Sequence, residues 1–137
     1  MRYLAIDLGD KRTGLAVGDD ELRMAQPVCV LEIAIGDVLI RKIINVVKEH
    51  DVDELVMGLP LNMDGSAGQR VSITKSFAID LGNQSAFRIH FQDERLTSAA
   101  AEERLSGSGK TRKQKKKMRD ALAAAEILND FLQQSTD

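Results

Sequence analysis

Short apolar runs separated by turn residues open the chain, and from about residue 37 the apolar positions move to helical spacing before strands return. Tyr3 to Leu8 predicts a strand with Tyr3, Ala5 and Asp7 on one face and Leu4, Ile6 and Leu8 on the other, so both faces read as buried. Thr13 to Gly18 predicts a returning strand after the tight Gly9-Asp10-Lys11 connection, and the two should pair as a hairpin. Beyond the acidic turn Asp19-Asp20-Glu21, Met24 to Leu31 predicts a third strand, which Pro27 weakens or moves to a sheet edge. Leu39, Ile40, Ile43, Ile44 and Val47 follow the three-and-four spacing of an amphipathic helix, with Asp37 as its expected cap and an end near His50.

Glu54 to Gly58 predicts a largely buried fourth strand, followed by the turn-rich loop Leu59 to Gly65. Ser66 and Gln69 match a capping box, predicting a helix to about Leu81 with Ile73, Phe77 and Leu81 on one face. Ala86 to Gln92 is the expected fifth strand. Thr97 or Ser98 would cap a short helix to Leu105, Ser106 to Gly109 would break it, and a last helix would run to about Gln133. Strands four and five are each reached through a helix, which implies parallel pairing with right-handed crossovers. The expected architecture is α/β: a mixed five-stranded sheet with helices on both faces.

Length and composition narrow this further. At 137 residues, with 43% hydrophobic and 29% charged residues, the chain is expected to form about one domain, spanning residues 1–137, with one core. No apolar run approaches the ~20 residues of a membrane span, and Asp7 falls where a secretory signal would still be apolar, so a cytoplasmic protein with no membrane partner is expected. A single cysteine, Cys29, excludes an internal disulfide or multi-thiolate zinc site. Two histidines, His50 and His90, exclude histidine-rich metal sites.

The formal charge of −2 conceals a division. Seven basic and no acidic residues lie between Lys110 and Arg119, which leaves −9 on the other 127 residues. Clustered Lys and Arg displace the counterions condensed on a nucleic-acid backbone; a solvated loop that keeps the protein soluble would have the same composition.

Three carboxylate positions call for an explanation. Asp7 ends a strand that looks buried on both sides, where an ionised carboxylate is costly without a compensating cation or donors; turn amides at Gly9 to Lys11 are the alternative partners. Asp120 precedes Ala123, Ala124 and Ile127 at helical spacing, so it starts along an apolar face, unless it caps a helix beginning near Ala121. The alanines there would let the helix approach the sheet closely. Asp93 and Glu94 close the fifth strand, at the end where a parallel sheet opens its crevice. Acids from these places could converge, and clustered acids repel unless divalent cations hold them. Oxygen-only ligation suits Mg2+ or Mn2+, and a pair of such ions can drive phosphodiester hydrolysis.

Four segments then carry a resemblance: Asp7-Leu8-Gly9-Asp10-Lys11-Arg12-Thr13-Gly14, Gly58-Leu59-Pro60-Leu61-Asn62-Met63-Asp64-Gly65-Ser66, Asp93-Glu94-Arg95-Leu96-Thr97-Ser98 and Asp120-Ala121-Leu122-Ala123-Ala124. In this order they resemble the YqgF family, whose ribonuclease-H-like fold is related to the RuvC Holliday junction resolvases. The resemblance implies a bacterial nuclease that matures the 5′ end of pre-16S rRNA, or else resolves Holliday junctions. It implies Asp7, Glu94 and Asp120 as catalytic acids and ligands of one or two Mg2+ or Mn2+ ions, with Asp93 as the alternative to Glu94. The resolvases add a carboxylate one turn from the helix aspartate, where this chain has Lys116, Lys117, Ala123 and Ala124. Junction resolution is therefore the weaker expectation.

Lys11, Arg12, Arg70 and Arg95, together with Lys110, Arg112, Lys113, Lys115, Lys116 and Lys117, are the expected nucleic-acid contacts. Arg70 lies in the first turn after the Ser66 capping box, where free amides and a positive dipole end suit a phosphate, although an ordinary capped helix would look the same. Lys11, Arg12 and Arg95 adjoin the acids and would clamp a scissile phosphate or pair with the acids themselves. The expected partner is structured RNA, such as pre-rRNA or a ribosomal particle, or branched DNA, which would call for a homodimer.

Other readings compete. Asp7-Leu8-Gly9 followed by a return strand resembles the phosphate loop of actin-like and sugar-kinase ATPases, but those enzymes close two domains on a nucleotide. Gly109-Lys110-Thr111 lacks the earlier glycine of a P-loop, since Arg104 stands there. A non-catalytic nucleic-acid-binding factor would rely on the basic run alone, and 4% aromatic residues leave few surfaces for base stacking.

Overall fold

Sheet pairing begins at the amino end. The computed structural model describes residues 1–94 and 112–134, with 112–117 described by their backbone. β1 (Arg2–Asp7), β2 (Thr13–Asp19) and β3 (Met24–Leu31) are joined by short connections; α1 (Asp37–Glu49), β4 (Glu54–Leu59), α2 (Gln69–Ser85), β5 (Ile89–Asp93) and α3 (Arg112–Gln134) follow. The sheet order is β3-β2-β1-β4-β5, antiparallel across β1–β2 and β2–β3 and parallel across β1–β4 and β4–β5. This is the mixed five-stranded sheet that the apolar pattern predicts. Pro27 sits on an edge strand, where its missing N–H is harmless, and the β2–β3 register shifts between Leu15, paired with Cys29, and Ala16, paired with Pro27.

The two faces carry side chains of different size. Leu4, Ile6, Leu15, Leu55 and Met57 point to one side and bury α1 and α2 through Ile40, Ile43, Phe77 and Leu81. On the other side Tyr3, Ala5, Ala16 and Val56 meet Ala124, Ala125, Ile127, Leu128 and Leu132 of α3. Small residues on both partners bring α3 close to the sheet, and Asp7, by the alternation of β1, belongs to this face. At the opposite end of the sheet, the rings of Tyr3, His90 and Phe131 cluster and His90 Nε2 lies 2.7 Å from Glu54 Oε1, joining β4 and β5 to the last turns of α3.

Several expectations are corrected. The residue capping α1 is Gly36, and Asp37 stands inside the first turn, where it favours the dipole and accepts a bond from Gln84 Nε2 at 3.4 Å. Ser66 is not half of a capping box: its amide and hydroxyl both donate to Asp64 Oδ1, at 2.9 and 2.6 Å, and α2 starts after Gly68. The Asp64 carboxylate, nearer in the chain, outcompetes the helix start for that hydroxyl. α2 also runs past Leu81 to Ser85, whose hydroxyl donates to the Leu81 carbonyl at 2.6 Å, and Ala86 ends it in the left-handed conformation. β5 accordingly begins at Ile89 rather than Ala86. α3 begins at Arg112, so Asp120 lies within it and caps nothing. The predicted helix to Leu105 and the Ser106–Gly109 break lie outside the described residues. Among the described residues, no helix is long and apolar enough to cross a membrane.

Candidate active site

Asp7 stands between two glycines. Its cross-strand partner on β2 is Gly14, and the β1–β4 register, which ends with Ile6 opposite Met57, continues to Gly58 on the other side. Each glycine admits a different acid. A Cβ at Gly14 would lie 1.9 Å from the Asp120 carbonyl oxygen and 2.7 Å from the Ala121 nitrogen, so the α3 main chain rests directly on the strand there. A Cβ at Gly58 would lie 2.4 Å from Glu94 Oε2 and 2.6 Å from Ile127 Cδ1, so the Glu94 side chain folds back over β4. Its backbone helps, since the Glu94 N–H donates to the Leu59 carbonyl at 3.3 Å. Neither glycine is among the residues expected at the site, although both fall within the four motifs. A glycine within a predicted strand, beside a candidate acid, is the signal that points to them.

Asp7 and Glu94 share a hydrogen bond. Burial pushes the Asp7 carboxyl well above the usual carboxylate range; the negative charge of Glu94, the hydrogen bond to it and the charge of Asp120 add to the rise, and Arg70 opposes it. Burial also raises Glu94, against the bond from Asp7 and the charge of Arg70, while Asp93 reinforces the rise. The bond between them raises Asp7 and lowers Glu94, so of the two Asp7 is the one that donates and Glu94 the one that accepts. Of the two neighbours that end β5, it is Glu94 that meets Asp7; Asp93 pairs with Leu59 in the sheet.

The basic residues divide. Arg12 Nε lies 3.5 Å from Asp120 Oδ2. Arg70 Nη1 donates to Asp10 Oδ1 at 3.1 Å and Nη2 to the Leu8 carbonyl at 3.2 Å, tying the first turn of α2 to the segment after Asp7. Lys11 is exposed on the same β1–β2 loop. Arg112, Lys113, Lys115, Lys116 and Lys117 all belong to the first two turns of α3, the helix that carries Asp120. Arg95 and Lys110 lie outside the described residues.

Oxygen donors alone meet here, two in direct contact and a third close enough to act on Asp7. That donor set fits a hard divalent cation, whose charge would offset the burial and the mutual repulsion that raise these carboxyls. Among the described residues no three His, Cys, Asp or Glu side chains already stand in an arrangement that could hold an ion together. Asp120 is turned to Arg12 instead.

Substitution of Gly58 tests the cradle. Gly58→Ala must move the end of the Glu94 side chain and Ile127 Cδ1. Since both are side-chain atoms, the expected cost is about 1–2 kcal/mol by denaturant unfolding, with Glu94 displaced from Asp7.

Comparison with known proteins shows the family and the fold. The RuvX family model, described as Holliday junction resolvase, matches residues 1–134. A relative from Anaeromyxobacter sp. (strain Fw109-5) is 39% identical over 132 residues, covering 96% of this chain and 96% of its own. One from Maridesulfovibrio salexigens is 36% identical, covering 96% and 98%. Both bear the name "Putative pre-16S rRNA nuclease". Among solved structures, fowlpox virus resolvase with its substrate Holliday junction DNA superposes with a TM-score of 0.64 at 9% identity over the whole of both chains. RuvC of T. thermophilus in complex with a Holliday junction gives 0.58 at 13%, covering 98% of this chain and 95% of its own. At such identities the likeness is one of fold, and that fold is the ribonuclease-H-like one. The match over residues 1–134 and the similarity of near-full-length relatives establish that the chain belongs to the RuvX family, which its four motifs resemble under the name YqgF.

Proposed function

We propose that this chain is a nuclease that matures the 5′ end of pre-16S rRNA by hydrolysing phosphodiester bonds, with Asp7, Glu94 and Asp120 as the acids of its active site. The contact of Asp7 with Glu94 over Gly58, and the seating of the α3 main chain at Asp120 on Gly14, support the reading. Membership of this nuclease family implies dependence on a divalent metal, and Mg2+ or Mn2+, as one ion or two, suits the oxygen donors. When bound between the acids, such ions lower the pKa of a water and stabilise the leaving oxygen. The chain's own part is to hold the donors. β1 presents Asp7 from a buried strand, the turn after β5 brings Glu94 over Gly58, and α3 fixes Asp120 against Gly14. Lys11 and Arg12 stand on the loop beside these acids to meet the phosphate, and the basic first turns of α3 lead the nucleic-acid backbone towards Asp120.

The names of the relatives favour RNA, and the fold shared with two junction-bound resolvases supports branched DNA as the second substrate. Buried Ala123 and Ala124 stand near Asp120 where the resolvases add a carboxylate, which counts against the junction. The deciding assay offers a 16S precursor fragment and a four-way DNA junction to the whole protein in Mg2+, Mn2+ or chelator. Removal of 5′ precursor nucleotides in either cation, with none in chelator, is the expected outcome. Cation-independent cleavage, or cleavage of the junction alone, would overturn the assignment.

The basic turn makes its own prediction. Replacing Lys113, Lys115, Lys116 and Lys117 by Ala should weaken RNA binding at every sequence and flatten its salt dependence, by about 0.7 in log–log slope for each phosphate that is no longer neutralised. Filter binding across a salt series measures both.

A further inference from the structure

The two arginines expected at a phosphate are held in different ways. Arg70 makes two directed bonds, one to a main-chain carbonyl, and so serves as a positioning residue for the segment that follows Asp7. Among the described residues Arg12 has one ionic contact in the site, Nε to Asp120 Oδ2 at 3.5 Å, longer than an ordinary N–H···O bond, with 47% of its side chain exposed against 27% for Asp120. The main chain on each side of this contact is closely packed. A Cβ at Gly9 would lie 2.3 Å from the Arg12 carbonyl oxygen, and the Asp120 carbonyl rests on Gly14. Of the two side chains, the long arm of Arg12 is the more exposed and the freer to turn.

We propose that Arg12 is a displaceable counter-charge for Asp120: it neutralises this carboxylate in the cation-free protein, gives way when a divalent cation is taken up, and is then left beside the site as a cation for the substrate phosphate. The inference rests on the nuclease reading above and deepens it. Three acids gathered beside β1 would otherwise repel, and an internal cation on one of them keeps the site assembled. A binding competition between Arg12 and a metal ion follows. By reciprocity, a phosphate that draws Arg12 away should tighten cation binding, and a bound cation should tighten phosphate binding.

Mn2+ binding to the full-length protein tests this, with free Mn2+ measured by electron paramagnetic resonance. Wild type, Asp7→Asn, Arg12→Ala, Arg12→Lys, Asp120→Asn and the Arg12→Ala/Asp120→Asn double variant would be compared, and thermal melts in chelator would confirm that each is folded. Arg12→Ala is expected to bind Mn2+ about two- to fivefold more tightly than wild type, the range for a partly exposed ion pair. Arg12→Lys, which keeps the charge, should remain near wild type, and the gain should vanish in the Asp120→Asn background. With Ca2+ as the cation, Arg12→Ala should bind an RNA oligonucleotide more weakly, and added oligonucleotide should tighten its Mn2+ binding less than it does for wild type. Unchanged or weaker Mn2+ binding by Arg12→Ala, in a protein whose Mn2+ binding is abolished by Asp7→Asn, overturns the role of Arg12 alone. Mn2+ binding that survives Asp7→Asn overturns the proposed site, and this inference with it.

Discussion

Asp7→Asn is expected to abolish cleavage and, in the absence of a cation, to raise the melting temperature. The loss of activity should reach at least about a thousandfold, because the proposed central ligand and its charge are removed from a site whose groups act as a unit. The gain in stability comes from the same carboxyl. Its folded pKa is raised above the unfolded value by burial and by Glu94 and Asp120, so between the two values the native state holds a proton that the unfolded chain has lost. Stability therefore falls as pH rises through that window, and above it the folded protein bears the full cost of a buried charge. Asn is neutral at every pH, and its amide can donate to Glu94 as the protonated Asp does. The difference between variant and wild type should thus be small in acid and widen toward neutral pH. Divalent cations should narrow it again by stabilising wild type more than the variant. Melting curves across pH, with chelator and with Mg2+, measure all three effects. A variant that melts below wild type at neutral pH, or cleaves within about tenfold of it, would contradict this account.

Gly14→Ala is expected to be the most destabilising of the small substitutions, although it adds one methyl group. That methyl would fall 1.9 Å from a main-chain oxygen and 2.1 Å from its carbon, and neither can move without lifting α3 from the sheet. α3 covers the whole of one face, burying Ala124, Ala125, Ile127, Leu128 and Leu132. A loss of at least about 3 kcal/mol is expected, at the upper end for overpacking, and a drop in melting temperature of about 10 °C for a chain of this size. Gly82→Ala is the control. It lies within α2, where the nearest atom to a new Cβ is Ile89 Cδ1 at 3.7 Å, and replacing a helical glycine should stabilise by about 0.5–1 kcal/mol. Denaturant unfolding of the two variants separates close approach from glycine content. A cost below about 1 kcal/mol for Gly14→Ala would mean that α3 does not rest on β2 as described.

The alternation of Tyr3 to Asp7 and the spacing of Leu39 to Val47 were enough to read the strands, the first helix and the parallel crossovers, because burial imposes a period on each element. Element ends were less legible. Whether Ser66 capped a helix or bonded to Asp64 turned on rival partners for one hydroxyl, and α2 ran four residues past Leu81, to Ser85. At the site, the burial of Asp7 and the close approach of the Ala121–Ala125 segment followed from residue types. The choice between Asp93 and Glu94 did not, since two adjacent acids at a strand end differ only in which way the chain turns after it.

What the sequence determined by itself was the candidate acids, with Asp93 and Glu94 left as alternatives, the basic stretch before Asp120, and the strand parity that turns Asp7 to the face of the small side chains. The tertiary structure alone decided which groups touch: Gly14 and Gly58 flank Asp7 only through pairing between separate strands, so one admits the α3 backbone and the other the Glu94 carboxyl. Local periodicity encodes which face a residue occupies, whereas contact between residues distant in the chain depends on register and on how closely elements pack, and no single segment carries that information.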